Sequence, residues 1–96
     1  EQPLNRARLQ AHLAAGGILE RNPGSRFAHR FHPGGESTLF IDGQEWLLGP
    51  EQASLAPLLC RQYRFPPQQL AEMLEQAPEL LLDLVNEGYL VMPDDG

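Results

Sequence analysis

The dipeptide Asp42-Gly43 is the strongest local constraint on how this chain can fold, because it separates two short runs of strand-forming residues. The runs cover residues 38–41 and 45–48 and are rich in aromatic and large aliphatic side chains. Asp-Gly supplies the positive φ angles that a two-residue turn requires. The pattern therefore predicts a β-hairpin over residues 38–48.

The region before the hairpin predicts one helix and one strand. Residues 4–15 have apolar side chains at roughly helical spacing, and Gly16-Gly17 would end the helix. The positions expected to face the core are Leu4, Ala7, Ala11 and Leu13. Residues 26–31 alternate, with Phe27 and Phe31 on one face, which predicts a short strand.

The region after the hairpin predicts three helices and a closing strand, at residues 51–62, 67–75, 78–87 and 89–92. Pro57 would kink the first helix or delay its start to about residue 54, because proline removes a backbone donor. Pro67 and Pro78 suit the first turn of a helix, and Gly88 would end the third helix. The side chains expected to face the core are Leu70, Met73, Leu74, Leu81, Leu84 and Val85.

This order of elements predicts an α+β fold of the winged-helix type. A small antiparallel sheet, made of the hairpin 38–48 and the strand 89–92, would pack on three short helices, with an extra helix at the N-terminal end. The closing strand is expected to return and pair with the hairpin. Residues 93–96 are expected to form a frayed tail.

Charge is unevenly distributed along the 96 residues, whose net charge is −6. Residues 1–35 contain five arginines and two acids, whereas residues 36–96 contain two arginines and eleven acids; there is no lysine. The predicted third helix, which would be the reader helix of a DNA-binding winged helix, carries Glu79, Asp83 and Glu87 and no cation. Such a helix would be repelled by phosphates, so we expect no nucleic-acid binding and a basic protein partner instead, such as a ribosomal protein. Glu79, Asp83 and Glu87 are the candidate contact residues, although an acidic stripe is also typical of a solvated helix face.

No pattern in the sequence predicts a catalytic, cofactor-binding or metal site. The histidines are His12, His29 and His32, and none lies in a metal-binding motif. The serines are Ser25, Ser37 and Ser54, and none lies in a nucleophile-elbow pattern. The single cysteine, Cys60, cannot form an internal disulfide and is expected to be a small core residue.

The sequence also gives expectations about where the protein is located and whether the chain is part of a larger protein. No run approaches the ~20 apolar residues that a membrane helix needs. The free thiol fits a reducing compartment, so a cytoplasmic location is expected. The chain has no initiator methionine, and we expect it to be the C-terminal part of a larger protein.

Four segments, in this order, carry a resemblance to a known family. They are Asn-Pro-Gly-Ser-Arg-Phe-Ala at 22–28, Leu-Phe-Ile-Asp-Gly-Gln-Glu-Trp at 39–46, Leu-Leu-Cys at 58–60 and Leu-Val-Asn-Glu-Gly-Tyr-Leu at 84–90. Together they resemble the C-terminal winged-helix region of bacterial cupin/JmjC-type ribosomal oxygenases, over residues 18–92. The resemblance implies a domain at 18–96, preceded at 1–17 by the end of a helical dimerisation segment.

The resemblance also implies a function for the parent protein. The parent would be a homodimeric dioxygenase that uses Fe(II) and 2-oxoglutarate, bound in an N-terminal cupin domain, to hydroxylate an arginine of a large-subunit ribosomal protein. This chain contains no His-x-Asp, so no catalytic residue carries over. It would be an accessory module that supports the dimer or contacts the substrate protein.

Two other functions fit the order of elements. A peptide-binding adaptor of the leader-peptide recognition type would add a peptide strand to a sheet edge. A winged-helix transcription regulator would place residues 78–87 in the major groove of DNA.

Overall fold

The structure, a computed structural model, describes residues 3–93. In chain order its elements are α1 (Arg6–Ala14), β1 (Leu19–Arg21), β2 (Phe27–Phe31), β3 (Ser37–Ile41), β4 (Gln44–Leu48), α2 (Leu55–Arg61), β5 (Arg64–Phe65), α3 (Pro67–Gln76), α4 (Pro78–Asn86) and β6 (Leu90–Val91). The fold is α+β and winged-helix-like, as predicted. Residues 94–96, most of the predicted tail, lie outside the described residues.

The described chain divides into two compact units. The first unit combines the residues up to Asn22 with those from Arg64 onward, and the second is Pro23–Tyr63. Because α1 lies in the same unit as α3 and α4, the first unit joins the two ends of the described chain. The division at residue 17 between a preceding segment and a domain stays a prediction.

The second unit is built around the hairpin sheet, in which the strand order is β2-β3-β4. Ile41 pairs with Gln44 across the turn, and both Asp42 and Gly43 have positive φ, at 51° and 87°. Two consecutive positive φ angles define the turn whose twist matches the strands, so the hairpin at 38–48 is confirmed. The predicted strand before it is confirmed as β2, which pairs antiparallel with β3.

Helix α2 packs against the hairpin sheet and begins later than the spacing alone predicted. Residues 51–54 form turns, and the helix starts at Leu55, close to the alternative start near residue 54. Pro57 is then the third helical residue, whose N–H would have no partner within the helix, so the proline is tolerated. Cys60 is half-buried and is not part of the buried core.

The first unit contains a second sheet, the long-range sheet, with strand order β5-β1-β6. The prediction that the closing strand pairs with the hairpin is wrong: β6 covers Leu90–Val91 and pairs with β1. Leu19, Phe65 and Leu90 share one face of this sheet and are completely buried, so burial of these side chains selects the pairing. Neither β1 nor β5 was predicted, since both are too short for an alternating pattern.

Three helices complete the first unit, with α1 packed on α3 and α3 packed on α4. The helix at the N-terminal end is confirmed, but the prediction that Ala7 and Ala11 face the core is wrong, because both are exposed. Leu9 and Leu13 are buried instead. In α3 and α4 the buried residues are Leu70, Met73, Leu74, Leu80, Leu81 and Leu84, while Val85 is half-buried.

Candidate protein-interaction site

The exposed face of α4 carries the three acidic residues that the sequence singled out. Pro78 occupies the first helical position, and Leu80, Leu81 and Leu84 turn one face of the helix inward. Glu79, Asp83 and Glu87 are all exposed. Their spacing of four residues places them in one row about 12 Å long on the outer face, from a rise of ~1.5 Å per residue. We call this row the acidic stripe.

The C-terminal end of α4 is fixed by backbone hydrogen bonds around a left-handed glycine. Gly88 has φ 86°, its N–H donates to the Val85 carbonyl, and the Tyr89 N–H donates to the Leu84 carbonyl. This pair of bonds defines the Schellman motif. The motif requires one residue with a positive φ angle, a conformation that glycine adopts most easily. Glu87 therefore lies at a defined helix end, where its negative charge opposes the helix dipole, and no basic residue lies in the last turn.

Two asparagines hold the same region to distant parts of the first unit. The Asn86 side chain accepts a hydrogen bond from the Leu4 N–H at 2.7 Å and donates to the Leu4 carbonyl at 3.1 Å. The Asn22 side chain donates to the Gly88 carbonyl at 2.9 Å. No local pattern in the sequence marks these roles, because their partners lie 82 and 66 residues away along the chain. They position the end of α4, and with it Glu87.

The segment of sequence that carries the acidic stripe contains acids and no basic residue. Residues 65–93 contain five acids and no Lys, Arg or His. One of these acids, Glu75, lies 3.5 Å from the Arg6 guanidinium; the Glu75 side chain is largely exposed and that of Arg6 is 44% exposed. A DNA duplex along α4 would bring phosphates against Glu79, Asp83 and Glu87, which is electrostatically unfavourable.

The three histidines each make a separate local contact. His12 lies 2.8 Å from the Ile18 carbonyl oxygen, and His32 lies 2.7 Å from the Thr38 hydroxyl. The His29 ring makes an edge contact with Phe31, with ring centroids 5.4 Å apart. Among residues 3–93, no group of three or more His, Cys, Asp or Glu side chains could hold a metal ion.

The first unit also contains a cleft between the C-terminal end of α1 and one face of α3, along the length of that helix. Its volume is about 510 Å³, with Leu13 and Leu74 among its lining residues and Ala14 and Ala71 on its exposed part. Its polar lining is limited to two glutamines and Glu75. Such a lining offers no convergent set of charged groups for a catalytic step.

Within the described part of the chain, no helix is both long and apolar enough to cross a bilayer.

Comparison with known families identifies a match that covers nearly the whole chain. A family model described as "ROXA-like winged helix" matches residues 1–91, a region that includes every helix and strand described above. A search of curated proteins finds no significant match to the chain.

Proposed function

We propose a function from one premise: the chain belongs to the ROXA-like winged-helix family. Its role is that of a non-catalytic accessory domain of a ribosomal oxygenase. The parent enzyme would be an Fe(II)- and 2-oxoglutarate-dependent dioxygenase that hydroxylates an arginine of a ribosomal protein and acts as a homodimer. A cytoplasmic location goes with this proposal.

The side chains of residues 3–93 do not fit the iron of such an enzyme. A facial triad needs two histidines and a carboxylate converging on one point. The described histidines make separate contacts, with the Ile18 carbonyl, the Thr38 hydroxyl and the Phe31 ring. We propose that iron and 2-oxoglutarate would be bound by a cupin domain elsewhere in the parent protein, and that this chain would supply no catalytic residue.

The acidic stripe supports a role in contacting the substrate protein. Glu79, Asp83 and Glu87 are exposed on one helix face, and Glu87 is placed where it disfavours the helix. A cationic partner would relieve that repulsion and gain from the field of all three carboxylates. Ribosomal proteins, which contact RNA through arginine and lysine, have the complementary chemistry.

A binding experiment tests this role directly. The 96-residue chain is titrated with a labelled arginine-rich peptide and is used to pull down purified large-subunit ribosomal proteins. Replacing the stripe (Glu79→Gln, Asp83→Asn, Glu87→Gln) is expected to weaken peptide binding by about tenfold, from ~0.2–1 kcal/mol for each exposed charge. The loss should shrink as salt is added.

A matched control separates the stripe from the net charge. The variant Glu36→Gln, Glu45→Gln, Glu51→Gln removes the same number of negative charges, but from the second unit. It is expected to bind nearly as well as the unchanged chain. Equal losses in the two variants would mean that only net charge matters, and unchanged binding in the stripe variant would reject the contact role.

A further inference from the structure

The outer edge of the hairpin sheet is formed by β2. The strand order is β2-β3-β4, so β2 pairs with β3 on one side only within the described sheet. Exposed edge strands are ready templates for pairing with another extended chain. Natural edges are often covered, bulged or very short. Strand β2 pairs with β3 through all five of its residues and has α2 packed against it, but no further strand pairs with it in the described sheet.

The ladder geometry defines which amides of β2 face outward. In a two-residue hairpin, Ile41 and Gln44 form a hydrogen-bonded pair, and such pairs recur at every second residue. Thr38 and Phe40 then direct their amides toward β2, where they meet Arg30 and Ala28. The bonds from the Asp42 N–H to the Arg26 carbonyl and from the His32 N–H to the Glu36 carbonyl follow the same parity. The amides of His29 and Phe31 therefore point away from β3, toward the outer edge.

The side chains of β2 are exposed along most of the strand, although α2 packs against this strand more than against β3. Ala28, His29, Arg30 and Phe31 are all exposed, and Phe31 is 57% exposed despite its size. His29 and Phe31 share the sheet face of the buried Leu39 and Ser37, the face that contacts the α2 side of the unit through Ser37 and Ala53. An incoming strand would thus find backbone partners and an exposed aromatic surface beside each other.

Charge identifies the kind of strand that fits. Residues 23–35 contain Arg26 and Arg30 and no acid, in a chain whose net charge is −6. Pairing β2 with a second copy of itself would bring four arginines together at one interface, where their charges would repel. The opposite edge, β4, carries Glu45 and has the reverse charge. We propose that the outer edge of β2 accepts an extended, acidic peptide segment as a fourth strand of the hairpin sheet.

The decisive experiment maps amide exchange in the unchanged 96-residue chain with a synthetic probe. The probe is a blocked peptide of alternating glutamate and valine, which is acidic and β-prone. At saturation the His29 and Phe31 amides are expected to exchange at least about tenfold more slowly, because each gains a hydrogen bond. No added protection at these two amides would overturn the proposal, without reference to any variant.

Proline substitution then tests whether the backbone of the edge is used. His29→Pro removes an outward N–H and leaves the β2–β3 ladder intact, a position where sheets tolerate proline. It is expected to weaken probe binding by about tenfold or more through the lost hydrogen bond. Leu47→Pro is the matched control, since Leu47 directs its amide outward from β4 and is also exposed. That control should bind the probe normally, and equal loss in both variants would contradict the proposal.

Two further measurements distinguish other occupants of the edge. Arg30→Gln should weaken probe binding several-fold, whereas Arg8→Gln, at an exposed arginine of the first unit, should not. If a single-stranded oligonucleotide binds and His29→Pro leaves that binding unchanged, the arginines serve phosphates and the strand-addition proposal is wrong. If sedimentation shows self-association that His29→Pro abolishes, the occupant is a second copy and the acidic-peptide proposal is also wrong.

Discussion

The two sheets of this chain are built from similar short antiparallel strands, but their strands are separated by very different lengths of chain. In the hairpin sheet, β3 and β4 are joined by the two-residue turn at Asp42-Gly43. In the long-range sheet, Glu20 pairs with Arg64 on one side and with Val91 on the other. A turn therefore sets the register of the first sheet, whereas the register of the second depends on which distant side chains are buried together. The two sheets should respond differently to the same kind of substitution.

The largest effect is expected from Phe65→Ala in the long-range sheet. Phe65 is completely buried and lies in a strand of only two residues. Truncating a buried phenylalanine costs about 3–5 kcal/mol of the free energy of unfolding, because it loses transfer energy and leaves a cavity. Urea unfolding measures this loss, and amide exchange should show that β1 loses protection before β3 does.

Phe31→Ala provides the matched control, with the same atoms removed from a side chain in the hairpin sheet. Since Phe31 is 57% exposed, its loss should change the free energy of unfolding by less than about 1 kcal/mol. Similar losses in the two variants would mean that burial does not distinguish the two sheets, and the comparison would fail.

The second-largest effect is expected from Ser37→Ala in the hairpin sheet. The Ser37 hydroxyl is completely buried and donates to the Ala53 carbonyl at 2.9 Å. Removing it leaves that carbonyl without this donor, at a cost of about 1–3 kcal/mol. Ser54→Ala removes an exposed hydroxyl that makes no capping bond, so its unfolding midpoint in urea should stay unchanged. A neutral Ser37→Ala would show that this hydrogen bond contributes nothing measurable to the stability of the hairpin sheet.

The same contrast explains which parts of the fold could be predicted from the sequence. Asp42-Gly43, Pro67, Pro78 and Gly88 act on their own neighbours, so the hairpin and the bounds of α3 and α4 were predictable. Leu19, Phe65 and Leu90 form one buried face only after remote segments meet, and no local pattern marks them. The closing strand was therefore assigned to the nearest recognised strands, which was wrong.

The candidate surfaces divide in the same way. Exposure of Glu79, Asp83 and Glu87 follows from helical periodicity, so the acidic stripe could be located from sequence alone. Its anchoring through Asn86 to Leu4 could not, because the contact joins the two ends of the described chain. The outer edge of β2 was also hidden, since only the observed pairing of β6 with β1 shows that the hairpin sheet ends at β2.

A smaller effect, equal in both units, is expected from Gly43→Ala and Gly88→Ala. Each glycine has a positive φ, near 87° and 86°, and a Cβ at either position would meet nothing within 4 Å. Each variant should therefore lose about 1–2 kcal/mol of the free energy of unfolding, through backbone strain alone. Thermal unfolding of the two variants should show similar shifts. A much larger loss for Gly43→Ala would show that the turn contributes more than its own conformational strain, and would sharpen the difference between the sheets.

The smallest effect is expected from the ion pair that crosses the long-range sheet. Arg64 donates to the Glu20 carboxylate at 2.7 Å, but its side chain is 67% exposed while that of Glu20 is 16% exposed. Water screens such a pair, so a double-mutant cycle of Glu20→Gln and Arg64→Gln should give a coupling of about 0.5 kcal/mol that falls with added salt. The more exposed Arg6–Glu75 pair, at 3.5 Å, should give less. Glu20 and Arg64 are directly opposite each other in the ladder between β1 and β5. A coupling energy of several kcal/mol would therefore mean that charge rather than burial selects the register of this sheet.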